Sequence, residues 1–179
     1  MDDRSLRETA IRADYAFARM ELANDESLTV LHIGAGETLV ALGKGAQAEA
    51  TIALAVGAEK TSAEFFRLSL PTPLELENAI MAVEDEIARA RTIIVDGSTL
   101  LTRDTALREI ALIAGLPDQP VLTLAIELVE KTFDRLTAVS LGRPAAYEGL
   151  PSSAAFAATL LILREFMHHL KFASLTISH

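Results

Sequence analysis

The hydrophobic and polar positions change period several times along the chain, and each change marks an element. Residues 3–24 place Leu6, Ala10, Ala13, Phe17 and Met20 near helical spacing with charges between them, which predicts an amphipathic first helix with these five on its apolar side. Asn24-Asp25-Glu26-Ser27 breaks that pattern. From Leu28 the chain turns β-branched and apolar. Strands are expected at Leu28–Ile33, Thr38–Leu42 and Ala50–Val56, joined by Gly34-Ala35-Gly36 and by a turn opening on Gly43-Lys44-Gly45. Three strands with short connections make an antiparallel meander. Helical periodicity returns at Thr72-Pro73-Leu74-Glu75, a capping box with proline at the first helical position, followed by Leu76, Ile80, Val83 and Ile87 on one face. Thr92–Val95 is short, apolar and β-branched, and reads as a buried parallel strand that ends in a polar loop, Asp96-Gly97-Ser98-Thr99. Helices are expected at 102–114, 121–138 and 154–170, and a last strand at 174–178. The order is helix, meander, helix, strand, helices, strand. It predicts an α/β fold with a mixed sheet and helices on both faces. Residues 1–27 read as a helix and connection, and 28–179 as a single domain.

Composition narrows the functions that such a fold can carry. Of 179 residues, 50% are hydrophobic and 23% charged, enough for a core without disulfides or metal staples. Sixteen basic against 25 acidic side chains leave a net charge of −9, which argues against nucleic acid or an anionic membrane as partner. The absence of cysteine excludes a disulfide scaffold, a thiolate metal site and a cysteine nucleophile. His32, His168, His169 and His179 have no zinc-site spacing; the pair His168-His169, late on a helix, reads as complementing its C-terminal partial charge. Glu84-Asp85-Glu86 reads as a solvated helix face. Ala154–Leu163 is too short to span a bilayer and the acidic start has no signal-peptide core, so the expected location is cytoplasmic.

Two loops could carry chemistry. His32-Ile33-Gly34-Ala35-Gly36-Glu37-Thr38 lies between strands, where glycines let backbone N–H groups approach a phosphate. Asp96-Gly97-Ser98-Thr99 follows the expected parallel strand, the end at which α/β sheets gather ligands. Ser98 has no paired histidine, so a serine nucleophile is not indicated.

These residues carry a resemblance to the exopolyphosphatase and guanosine-pentaphosphate phosphohydrolase (Ppx/GppA) family, whose half-domains have the ribonuclease-H-like, actin-like ATPase fold. The family's phosphate loop D-I-G-G-G-S-T-E is similar to His32-Ile33-Gly34-Ala35-Gly36-Glu37-Thr38-Leu39. Its L-G-A-x-R-L-T-x-x-F resembles the segment Val56-Gly57-Ala58-Glu59-Lys60-Thr61-Ser62-Ala63-Glu64-Phe65. Its G-G-T-A-T-T-L loop resembles Asp96-Gly97-Ser98-Thr99-Leu100-Leu101. Its G-L-P and L-T-V-S-D resemble Gly149-Leu150-Pro151 and Leu175-Thr176-Ile177-Ser178. The resemblance runs from about residue 28 to 178 and implies the C-terminal half-domain of a two-half enzyme, with the other half missing.

The departures fall on the chemistry. The family's cation-holding loop aspartate is His32, its phosphate-binding loop serine is Glu37, and the first glycine of the later loop is Asp96. The catalytic glutamate of the family's E-E-A-R-like segment has its one heir in Glu8 of Arg7-Glu8-Thr9-Ala10. A carboxylate inside an anion cradle repels the anion. Two unit charges ~4 Å apart interact by about 1 kcal/mol in bulk water and several times that near a protein surface. Three readings follow. In the first, the half-domain has lost phosphohydrolase activity and works as a binding, regulatory or assembly module, pairing with itself to cover the surface of the missing half. In the second, it forms an exopolyphosphatase or (p)ppGpp phosphohydrolase with a separately encoded partner half, with Lys60 and Arg67 facing the polyanion; Mg²⁺ belongs to this catalytic reading alone. In the third, Glu37, Asp96 and His32 hold a divalent metal.

Overall fold

A computed structural model describes residues 3–22 and 26–178, with side chains from Ser5 onward. The first helix, α1, runs Asp3–Met20. Residues 23–25, where the helix was expected to end and break, lie outside the described residues. Then come β1 (Leu28–Ile33), β2 (Thr38–Gly43), β3 (Ala50–Leu54), α2 (Ala58–Phe65) and α3 (Pro73–Ala88). They are followed by a 3₁₀ turn (Arg89–Thr92), β4 (Thr99–Thr102), α4 (Thr105–Ile113), β5 (Leu122–Ala125) and α5 (Ile126–Ser140). The short α6 (Ala145–Glu148), α7 (Ala154–His169) and β6 (Ser174–Ile177) complete the order.

The strands form one six-stranded sheet in the order β3-β2-β1-β4-β6-β5. β1, β2 and β3 are the expected antiparallel meander, with Thr38 opposite Ile33 and Leu54 opposite Thr38. β4 lies parallel to β1, Leu28 opposite Thr99, and β6 lies parallel to β4, while β5 closes the edge antiparallel. The carboxyl ends of β1, β4 and β6 therefore share one rim of the sheet. The larger core, on one face, packs Leu31, Val40, Leu54 and Leu100 against Leu76, Val83, Leu107, Val129 and the apolar length of α7. The other face is covered by α1, through Ile11, Tyr15 and Ala18 on Leu28, Val30, Leu39 and Leu101. The capping box of α3 is present in full: Thr72 Oγ1 accepts from Glu75 N–H, and the Glu75 carboxylate accepts from Thr72 N–H.

Several expected elements are displaced, each for a physical reason. α1 buries Ile11, Tyr15, Ala18 and Arg19, so the expected apolar side, Leu6, Ala10, Ala13, Phe17 and Met20, points outward. Two polar groups set that phase. The Tyr15 hydroxyl donates to Gly45 O at 3.0 Å, and buried Arg19 donates to Gly43 O at 3.0 Å and to Glu26 O at 2.8 Å. Counting apolar positions misses a face whose burial is secured by hydrogen bonds.

Thr92–Val95 is not a strand. Thr92 closes the 3₁₀ turn, and Ile93 and Ile94 pack against the core from a loop. Gly97, at φ +78°, turns the chain into β4, and the buried Ser98 hydroxyl lies 2.7 Å from Thr29 Oγ1. A short apolar run has no periodicity of its own that separates strand from core-capping loop. The strand is thus shifted to 99–102. The expected helix over 121–138 divides into β5 and α5, and the one over 102–114 is trimmed to α4. Strand β3 stops at Leu54, and α2 and α6 were unforeseen.

Candidate functional site

The rim at the carboxyl end of β1 is built from the loop between β1 and β2. Gly34 N–H donates to Glu37 O at 3.0 Å and closes the turn. Thr38 Oγ1 donates to Val56 O at 2.7 Å and ties the loop's far end to the segment leading into α2. Gly57 then lies flat against the loop: a Cβ there would stand 2.5 Å from Glu37 N and 2.6 Å from Ala35 O. This contact lets the loop cap α2. Ala58 N–H donates to Gly34 O (2.9 Å), and the N–H groups of Glu59 and Lys60 donate to Ala35 O (2.9 and 3.0 Å). The first donors of α2, which elsewhere bind anions, are met by the protein's own carbonyls.

Beside this loop stands Asp104, at the carboxyl end of β4. Thr102 Oγ1 donates to Leu31 O (2.7 Å) and accepts from Asp104 N–H (3.0 Å), which fixes the turn out of the strand. The buried Asp104 carboxylate caps α4 by accepting from Ala106 N–H (2.9 Å). It also accepts from Ile33 N–H (3.1 Å) and faces His32 Nδ1 at 3.2 Å. The hydrogen bond to Asp104 raises the His32 pKa above its ordinary 6.5; burial works against this and the charges of Asp104 and Asp14 add to it. Burial pushes Asp104 up, but the hydrogen bond and charge of His32 and the two backbone donors together hold it below its ordinary 3.8.

The sign of the pH dependence follows. The His32 contribution to stability is complete below pH 6.5 and is lost as pH rises through the raised folded-state value. The Asp104 contribution is complete above pH 3.8 and is lost as pH falls through the lowered one. A ¹H–¹⁵N titration of the imidazoles is expected to place the His32 midpoint above 6.5. In Asp104→Asn that elevation disappears. An unshifted midpoint in the unaltered chain would disprove the pair.

Two hollows flank the loop. One, of about 330 Å³, is lined by Arg7, Asp14, His32, Gly34, Gly36 and Glu37. Glu37 Oε1 pairs with Arg7 Nε at 2.6 Å, and just beyond, Arg103 Nη1 reaches Asp14 at 3.4 Å while its guanidinium lies 4.0 Å over the Phe17 ring. The second, of about 320 Å³, lies at the first turns of α2, α4 and α7; the described residues lining it include Glu59, Glu109, Ser153 and Thr159, with no basic side chain among them.

The expected residues are thus divided between places. His32, Gly34, Ala35, Gly36, Glu37 and Thr38 stand together on this rim. Asp96, Gly97, Ser98 and Thr99 do not: the first three precede β4 and Thr99 opens it, so they lie at the opposite end of the sheet, where Thr99 N–H donates to Ser27 O. The six residues of β1 separate Glu37 from Asp96 by about 17 Å. The expected facing of Glu37 and Asp96, and their metal site with His32, is corrected by this shift of the strand. Glu8 accepts from Thr51 Oγ1 (2.8 Å) on β3 and from Arg12, outside both hollows. Lys60 Nζ donates to Ala55 O (2.7 Å), and Arg67 extends beside Glu75 with its side chain 93% exposed. Asp104 is not among the residues expected at the site, and its one local signal is that of a helix N-cap, an aspartate directly before Thr105-Ala106-Leu107.

Comparison with known proteins bears on the fold. No family profile matches the chain, and no curated protein matches it in sequence. Solved structures do. The Ppx/GppA family member of Aquifex aeolicus superposes with a TM-score of 0.77 at 19% identity, over 96% of this chain and 58% of that one. The type II variant structure of the Aquifex aeolicus Ppx/GppA phosphatase gives 0.75 at 18%, over 92% and 57%. An exopolyphosphatase from Cytophaga hutchinsonii gives 0.71 at 12%, over 94% and 59%. The chain therefore has the Ppx/GppA type of actin-like α/β fold and spans a little under three fifths of these structures. Among its described residues no helix is long and apolar enough to cross a membrane.

Proposed function

We propose that this chain is an exopolyphosphatase-type half-domain that does not hydrolyse phosphoanhydrides and works by association, pairing with a second copy of itself. The observation that carries the reading is the charge state of the loop rim. The two side chains of the first hollow that can carry positive charge, Arg7 and His32, are engaged with Glu37 and Asp104, and the second hollow offers Glu59 and Glu109 without a basic side chain among its described residues. A polyphosphate chain laid along Gly34–Gly36 meets carboxylates on either side, with no unengaged basic side chain among the described residues that line the two hollows. Mg²⁺ does not fit either. It requires near-octahedral oxygen ligands, yet the Asp104 oxygens are taken by two backbone N–H groups and an imidazole, and Glu37 by a guanidinium.

Association is supported by the outward side of α1. Leu6 is 49% exposed and Met20 75%, with Phe17, Ala10 and Ala13 between them. The stripe crosses Phe17, whose ring is stacked under Arg103 at the edge of the first hollow. An apolar stripe continuous with the rim is suited to burial in a two-fold pair, where each copy presents the same patch. Light scattering coupled to size exclusion is expected to give twice the chain mass. Phe17→Glu with Met20→Glu is expected to give single-chain mass with an unchanged circular-dichroism spectrum. A monomer in the unaltered protein overturns self-pairing, and phosphate release from polyphosphate or guanosine pentaphosphate with Mg²⁺ overturns the loss of hydrolysis. Assembly with a separately encoded half would show as activity that appears only on mixing.

A further inference from the structure

Far from the loop rim, α3 and α7 bring together three groups that the proposed association does not use, one of which, Glu165, also pairs through its other oxygen with Arg164. We infer that Glu84, Glu165 and His169 form a binding site for one divalent transition-metal ion that ties α3 to α7. Glu165 and His169 are four residues apart on α7, the spacing that sets two ligands on one face of a helix. Glu84 reaches them from α3. His169 Nε2 lies 3.1 Å from Glu84 Oε1 and 3.1 Å from Glu165 Oε2, and the three ligating atoms stand within 4.8 Å of one another.

One physical point favours a cation there over a plain ion pair, and the dimensions permit one. The point is stoichiometric. Two carboxylate oxygens converge on one ring nitrogen, and a single N–H directed at one of them is poorly aligned with the other. A metal ion in the middle satisfies both carboxylates and the nitrogen at once. Nitrogen and oxygen ligands at about 2.0–2.2 Å from one ion, in tetrahedral to octahedral arrangement, stand about 3–3.5 Å apart. The two nitrogen–oxygen separations fall in that range, as hydrogen bonds also do, and the two carboxylate oxygens stand within 4.8 Å of each other. One imidazole and two carboxylates balance the charge of a divalent ion, and the mixed nitrogen–oxygen set suits zinc and its first-row neighbours better than calcium or magnesium. Glu165 is 1% exposed and supplies a fixed inner ligand, while His169 and Glu84 are open enough to admit the ion and its remaining waters.

Arg91 stands guard over this site. Its Nη2 lies 3.2 Å from His169 Nδ1. A guanidinium has only hydrogens to offer, so this contact calls for a bare Nδ1 and puts the ring proton on Nε2. Metal at Nε2 reverses the tautomer and requires Arg91 to swing away. The arginine is exposed and competes with the ion.

Titration of the full chain with ZnCl₂ in a calorimeter is expected to show one ion bound per chain. Co²⁺ in parallel is expected to develop visible d–d absorption. Glu84→Gln and His169→Ala should each weaken Zn²⁺ binding on the order of 100-fold, and Arg91→Ala should tighten it by about tenfold. His168→Ala, one residue away, should leave it unchanged. Absence of binding to the unaltered chain overturns the inference. So does affinity that survives His169→Ala, or that falls equally with His168→Ala, since adventitious surface histidines would then hold the metal. Each variant is first checked for an unaltered circular-dichroism spectrum. Glu165→Gln, at the buried position, is not needed for the decision. The outcome is independent of whether the chain pairs with itself.

Discussion

Alanine at position 57 is expected to destabilise the protein by about 3 kcal/mol, although it adds one methyl group and Gly57 has an ordinary extended backbone, φ −152° and ψ 164°. The reason is space and not torsion. The new Cβ would lie 2.5 Å from Glu37 N, 2.6 Å from Ala35 O and 2.6 Å from Gly36 C, all of them backbone atoms that cannot rotate aside. The loop must move off α2. In moving it breaks the bonds from Ala58, Glu59 and Lys60 to the carbonyls of residues 34 and 35 and uncaps the helix. Gly36→Ala is the control. A Cβ there meets nothing within 4 Å, and stability is expected to change by under about 0.5 kcal/mol. Urea melts of the two variants decide the matter. Equal midpoints would show that the loop is not docked on α2 as described.

Removal of the Asp104 carboxylate is the second large effect. Asp104→Ala takes away the α4 cap, about 1 kcal/mol. It also leaves the N–H of buried Ile33 without its acceptor, about 1–3 kcal/mol more. The sum, about 2–4 kcal/mol, corresponds to a melting temperature lower by roughly 5–15 °C for a domain of this length. Asp104→Asn keeps oxygen and shape and should lose less than half of that. It weakens the hydrogen bond and removes the charge that raise the His32 pKa, so the pH dependence of stability above pH 6.5 should flatten in both variants. A melting temperature within about 2 °C of the unaltered protein in Asp104→Ala would show that Asp104 does not hold this rim together.

The contrast between Asp104 and Asp96 shows what could be read from the chain and what could not. The meander, the α3 capping box, α7 and β6 were legible because each carries a local signature: glycine turns between β-branched runs, Thr72 with Glu75, an unbroken apolar helix, an alternating terminal strand. The Gly34–Gly36 loop was legible for the same reason. The strand beside it was not. Thr92–Val95 and Thr99–Thr102 are both short and apolar, and only long-range pairing with Leu28–Val30 selects the second. That one displacement moved the acidic loop from the ligand end of the sheet to the other end. It also hid Asp104 inside what read as a helix. The phase of α1 was lost in a similar way. Its burial depends on where Tyr15 and Arg19 find carbonyls on the turn after β2 and near Glu26, and no local pattern encodes those partners.

The place of β6 has a consequence for how this molecule comes into being. It is the latest strand in chain order, yet it lies between β4 and β5, inside the sheet. Until Ile177 has been synthesised, β4 and β5 each expose a naked edge of backbone donors and acceptors, and the apolar length of α7 has no finished sheet to lie on. The β1–β2–β3 meander pairs locally, but the pairing of β1 with β4 spans some seventy residues, so the other half of the sheet is secured late. A ribosome-bound nascent chain therefore leaves β4 and β5 unpaired on the sides that β6 will occupy, and this half of the sheet closes only when the last strand has been made.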